Sequence, residues 1–161
     1  MNCVNPFWIE PGDQPIQVPC GKCLPCLVNR REEWAFRIWQ EHMASCGSLF
    51  VTLTYDPQHL PDGYQLSKPD LQKFMKRLRK RCSQRLRYYA VGEYGTKRQR
   101  PHYHILLFNT TLDDEQAIRE SWKLGQLHIG KVNEASIRYC LKYIVQPEQK
   151  TNRVKPFALI S

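Results

Sequence analysis

Pro101-His102-Tyr103-His104-Ile105-Leu106-Leu107-Phe108 decides how this chain is read. The segment is rich in aromatic and apolar residues and follows a polar loop, Gly95-Thr96-Lys97-Arg98-Gln99-Arg100, so it reads as a strand. Residues two apart on a strand share a face, which sets the His102 and His104 rings side by side. The residues after them are apolar on both faces, so the strand belongs at the centre of a sheet. Imidazoles in a buried strand need partners, because unpaired polar groups there cost free energy. The preceding run, Arg87 to Tyr94, supplies one. If Tyr94 pairs with Pro101 across the hairpin, Glu93 lies opposite His102 on the same face. A slip of one residue would move it to the other face. The histidines could simply hydrogen-bond within the sheet. However, His-x-His on an apolar strand with a carboxylate in reach favours a divalent ion acting as a Lewis acid.

Upstream, Leu49-Phe50-Val51-Thr52-Leu53-Thr54 is a second strand, preceded by a helix from about Asn29 to Ser45 with Trp34, Ile38 and His42 in register. Asp56-Pro57 and Pro61-Asp62-Gly63 mark a loop. Ser67 caps a helix on which Leu71, Phe74, Met75 and Leu78 follow the i, i+3, i+4, i+7 rule. The rest of that segment is basic. Lys73, Lys76, Arg77, Arg79, Lys80, Arg81, Arg85 and Arg87 run without an acidic residue between them, eight charges against a net +9. Charges of one sign cannot be there for i, i+4 pairing, so the run is either a solvated face or a phosphate-contacting one. Downstream, Thr111-Leu112-Asp113-Asp114 caps a helix to Lys123, and Leu127 to Val132 reads as a short strand.

A last helix, capped by Asn133, is expected to reach Val145 and stop at Pro147. Ile137, Cys140, Leu141 and Ile144 form its apolar seam, while Tyr139 and Tyr143 fall together on the opposite side with Lys142 beside them. Two phenols and an ammonium presented together suit a phosphate; a second packing face is the plainer reading. The alternation Ile137, Tyr139, Leu141, Tyr143, Val145 also admits a strand, and the Asn133 cap favours helix.

The 161 residues are 42% hydrophobic and 24% charged, which excludes wholesale disorder and suits one domain. No run of ~20 apolar residues could span a bilayer. Met1-Asn2-Cys3-Val4-Asn5-Pro6 lacks a basic segment followed by an apolar one, so no signal peptide is expected. The charge predicts a polyanionic partner, most commonly nucleic acid. The seven cysteines read as reduced thiols. Pro6, Pro11, Pro15, Pro19 and Pro25 argue against regular structure in the first 26 residues. Within that lead, Cys20, Cys23 and Cys26 stand at Cys-x-x-Cys spacing, and Cys3 could complete a tetrahedral structural zinc site. Iron–sulfur ligation and unligated thiols are the other readings. Cys46, Cys82 and Cys140 read as small apolar fillers.

Four motifs, in order, resemble the HUH endonucleases, and among them the replication initiators of microviruses, particularly the gokushovirus type. Pro19-Cys20-Gly21-Lys22-Cys23-Leu24-Pro25-Cys26 is similar to their cysteine-rich lead, and Phe50-Val51-Thr52-Leu53-Thr54-Tyr55 to their first strand motif. Gly92-Glu93-Tyr94-Gly95 with Arg100-Pro101-His102-Tyr103-His104 resembles the metal motif, and Tyr139-Cys140-Leu141-Lys142-Tyr143 the two-tyrosine motif. The resemblance implies an α+β fold, with a central antiparallel sheet of the ferredoxin or RNA-recognition type covered by helices. It implies one nuclease domain over 1–161: a cysteine-rich lead to residue 28, a catalytic core from 29 to 146 and a tail from 147 to 161. It further implies site-specific nicking and joining of single-stranded origin DNA in rolling-circle replication. Mn²⁺ or Mg²⁺ would be held by His102, His104 and Glu93. Tyr139 would form a 5′-phosphotyrosine, Tyr143 would take the second cleavage, and Lys142 would assist. Lys73, Lys76, Arg77, Lys80, Lys97, Arg98 and Arg100 would contact the DNA, in the cytoplasm of a bacterial host alongside host helicase and polymerase. The alternatives are a non-catalytic, zinc-stabilised nucleic-acid-binding module and a hydrolase whose nucleophile is water.

Overall fold

Alternation of apolar residues along the strands fixes two buried sheet faces, and the helices divide between them. The computed structural model describes residues 2–146 and 152–161. The chain runs β1 (Phe7–Ile9), β2 (Ile16–Val18), α1 (Leu24–Ala44), β3 (Ser48–Thr54), α2 (Lys68–Arg79) and β4 (Arg87–Tyr94). It continues through β5 (Pro101–Phe108), α3 (Glu115–Ser121), β6 (Leu127–Lys131), α4 (Glu134–Leu141) and β7 (Phe157–Ile160). Strands β3 to β7 form one antiparallel sheet in the order β6-β3-β5-β4-β7, so β5 is central, as its apolar run requires. The fold is α+β, as expected.

On one face, Tyr103, Ile105 and Leu107 of β5 and Val51 and Leu53 of β3 pack under α2 and α3. Leu71, Phe74, Met75 and Leu78 of α2 are all buried there, and truncating one such leucine to Ala costs about 2–5 kcal/mol. The Ser67 hydroxyl accepts from the Asp70 amide and starts α2 as predicted. On the other face, Leu106 and Phe108 of β5 and Tyr89 and Val91 of β4 pack under Ile38 of α1 and Ile137, Cys140 and Leu141 of α4. His102 and His104 belong to this second face by the same alternation. Trp34, Ile38 and His42 face inward along α1: Ile38 is buried, Trp34 packs on Tyr89, and His42 meets the Ser48 hydroxyl.

Gly125 sits where β6 is approached from the end of β3. A Cβ there would fall on the Thr54 carbonyl and the Asp56 amide, so only glycine fits.

Several expectations are corrected. The proline-rich lead is not without regular structure: β1 and β2 pair antiparallel, Phe7 against Val18. The prolines flank these strands instead of interrupting them. Helix α1 begins at Leu24 instead of about Asn29, because Pro25 lies in its first turn, where no intrahelical N–H is needed. The Thr111 cap forms but opens a 3-10 turn before α3, which ends at Ser121, short of Lys123. The last helix stops at Leu141 and tightens into a 3-10 turn over Lys142–Ile144 instead of continuing to Val145; Pro147 lies outside the described residues. Phe157–Ile160, within the expected tail, instead forms β7 at the edge beside β4. Cys46 is exposed and fills no core, whereas Cys140 is buried as expected.

A candidate metal centre and its tyrosine face

The β4–β5 hairpin pairs Tyr94 with Pro101 and Glu93 with His102, the register on which the site depends. Its turn closes through Gly95 and Gln99, each donating across the loop. Glu93 is 2% exposed, and its Oε1 lies 2.9 Å from His102 Nε2 and 3.1 Å from His104 Nε2. The same oxygen accepts the hydroxyl hydrogen of Tyr139 from α4. Its other oxygen, Oε2, is buried without a hydrogen bond, and Lys142 Nζ forms an ion pair with it at 2.9 Å. Lys142 also stands 3.7 Å above the Tyr139 ring and 5.0 Å from the Tyr143 ring. Thus β4, β5 and the end of α4, remote in sequence, meet at one carboxylate.

The histidine rings are fixed from behind. Thr52 Oγ1 is 3.0 Å from His104 Nδ1, and Phe50 stacks on the His104 ring at 5.5 Å. His102 Nδ1 is 3.2 Å from the Arg100 carbonyl, which can only accept. A neutral His102 therefore carries its proton on Nδ1 and turns the lone pair of Nε2 toward Glu93. Two acceptors face each other there, and a cation between them resolves the conflict. Two donors bound cis to an octahedral ion at about 2.1 Å stand about 3.0 Å apart, which matches both His–Glu spacings. With the unbonded Oε2 beside them, Glu93, His102 and His104 fit a divalent ion.

Burial by itself would push the Glu93 carboxyl up. The donors around it, His102, His104, Tyr139 and Tyr143, overcome that and hold it well below the usual carboxylate range. The phenols go the other way. Burial and the Glu93 charge raise Tyr139, with Lys142 partly offsetting them, and raise Tyr143 further. For Lys142, burial is outweighed by Tyr139 and Glu93, so its ammonium is held.

The expected DNA-contacting residues are dispersed. Lys73, Lys76 and Lys80 are exposed on α2, which packs on the sheet face opposite the histidines. Arg77 is half-buried and donates to the Ser121 carbonyl at 2.8 Å, tying α2 to α3. Lys97 and Arg98 are exposed in the hairpin loop beside His102, while Arg100 donates to the Tyr55 carbonyl at 2.7 Å. Arg98 and Arg100 line a pocket of about 410 Å³ together with Tyr64 and Arg153. Tyr64 and Arg153, like Thr52 and Phe50 as supports of His104, carry no local signal in the sequence and emerge only from the packing. Cys3, Cys20, Cys23 and Cys26 converge separately at the start of α1.

The family model described as replication-associated protein ORF2 matches residues 48–148. The chain is 34% identical over 148 residues to replication-associated protein VP4 of Bdellovibrio phage phiMH2K, which covers 78% of this chain and 47% of that protein. It is 36% identical over 151 residues to replication-associated protein ORF2 of Spiroplasma virus 4, covering 78% and 47% respectively. It is 27% identical over 150 residues to replication-associated protein ORF4 of Chlamydia phage 1, covering 79% and 37%. The chain spans about half the length, or less, of these curated relatives. No solved structure matches.

Proposed function

Because this chain belongs to the ORF2 family of replication-associated proteins, we propose that it is an HUH-type endonuclease that nicks and rejoins single-stranded DNA to initiate rolling-circle replication. One observation carries the reading: the Tyr139 hydroxyl is hydrogen-bonded to the carboxylate oxygen that both histidines face. Nucleophile and ion-binding donors thus share one atom, and a scissile phosphate brought there meets both.

Mn²⁺ or Mg²⁺ held by Glu93, His102 and His104 would supply the Lewis acid that polarises this phosphate. Tyr139 oxygen attacks phosphorus, its proton passing to solvent; the bond to the 3′ oxygen breaks, and that oxygen takes up a proton as the free 3′-OH. The 5′ phosphate stays on Tyr139 as a phosphodiester, which keeps the bond energy for rejoining. Burial and Glu93 keep the phenol protonated at rest, so the nucleophile stays latent. Lys142, over both rings, stabilises the charge that develops on the attacking oxygen. Tyr143, on the next turn and drawn to the same carboxylate, is placed to receive the second cleavage. Lys97 and Arg98, exposed at the mouth of the site, would contact the backbone of the strand.

The test uses end-labelled single-stranded oligonucleotides tiling the cognate phage genome, incubated with the protein and Mn²⁺. A labelled protein band that survives boiling in detergent is expected, and Tyr139→Phe combined with Tyr143→Phe should abolish it. Cleavage without an adduct would instead mark a water-based hydrolase, and binding without cleavage a non-catalytic module.

A further inference from the structure

We propose that Cys3, Cys20, Cys23 and Cys26 bind a single structural zinc ion that fastens the N-terminal hairpin to α1. The site is independent of the ion held by Glu93, His102 and His104. All four sulfurs lie within 4.8 Å of one another. Cys23 Sγ is 3.8 Å from Cys3 Sγ and 3.4 Å from Cys26 Sγ. Thiolates on a tetrahedral ion with Zn–S of about 2.3 Å stand about 3.8 Å apart, so the sulfurs already mark the edges of that polyhedron. A disulfide would need about 2.05 Å, and all four cysteines are free. An iron–sulfur cluster would place several atoms between the thiolates and spread them wider.

The backbone is arranged for anionic sulfur. The Cys20 amide donates to Cys3 Sγ at 3.2 Å, and the Lys22 and Cys23 amides donate to Cys20 Sγ at 3.5 and 3.3 Å. Gly21, at φ +72°, permits the tight curl that turns these amides inward. Cys23 is the N-cap of α1 and Cys26 lies in its first turn, where no acidic residue complements the helix dipole; thiolates take that place. Four thiols with no open position make a closed, structural site.

The ion would hold a segment that has little else to hold it. Cys3 precedes β1 and Cys20 follows β2, so the site closes the open end of the hairpin. Phe7 is 50% exposed and Trp8 63%, and a lone two-stranded ribbon is marginal in water. Ligation would supply the missing folding energy, with thiol protons released on binding.

Protein purified under reducing conditions without added metal should contain about one zinc ion per chain by elemental analysis. His102→Ala with His104→Ala should keep that zinc; Cys20→Ser with Cys23→Ser should lose it. Cobalt exchanged into the unaltered chain should show thiolate charge-transfer and tetrahedral bands, a readout that needs no cysteine variant to fold. Chelation should make residues 2–23 newly sensitive to protease while the sheet stays protected. Absence of zinc, zinc that follows the histidines instead of the cysteines, an iron–sulfide chromophore, or cobalt bands without thiolate character would each overturn the proposal.

Discussion

Glu93 Oε1 faces three side chains carried on β5 and α4, and their aim is set by residues behind them. For His104 that residue is Thr52, whose hydroxyl bonds Nδ1 and so leaves Nε2 to face the carboxylate. Removing such an orienting group usually weakens an ion site by about 10–100-fold without unfolding the protein. Thr52→Val keeps the β-branched shape, so it should lower Mn²⁺ affinity by that order while leaving the thermal midpoint nearly unchanged; calorimetric titration alongside melting checks both. Unchanged affinity would mean that Phe50 stacking alone sets the ring. The site is legible in part from the sequence. His102, His104 and Glu93 can be read because a strand and a hairpin are local, and i, i+2 spacing fixes a face. Thr52 cannot, because its pairing with His104 joins residues far apart in the chain.

At the scale of elements, the short helix α4 delivers Tyr139, and its first turn depends on Asn133. The Asn133 side chain accepts from the Ser136 amide, and the Ser136 hydroxyl accepts from the Asn133 amide in return. Asn133→Ala should cost about 1 kcal/mol, seen as a lower urea midpoint with an unchanged slope. No loss would show that packing of Ile137 and Leu141 suffices to hold the helix. This cap is plain in the sequence, as is the Ser67 cap of α2, because capping is a property of four consecutive residues. Elements whose stability comes from distant partners are not. β7 is four residues long and becomes a strand only by pairing with β4. The β1–β2 ribbon is hidden by its prolines, which break a strand from within but are tolerated at its ends.

For the whole molecule, the sheet's two faces bury phenols as well as hydrocarbons. Burial pushes Tyr89 up to about 12, and burial also raises Tyr55 and Tyr103, whose hydroxyls bond each other. A phenol raised in the native state favours folding while protonated. That contribution is intact below pH ~10, the ordinary phenol value, and drains away as pH climbs toward the native value. The urea midpoint should therefore hold steady from neutrality to about pH 10 and then fall, with phenolate absorbance lagging behind that of the unfolded chain. If every tyrosine ionised together near pH ~10 with no loss of stability, these rings would not be closed off from water as described.

The sheet is also a partition. Lys73, Lys76 and Lys80 ride on α2 behind it, while the imidazoles and Tyr139 lie in front. A thread of phosphates touching both sides at once cannot run straight. It has to round a rim of the molecule, so its length, and not only its bases, would decide how much of the positive surface it can reach.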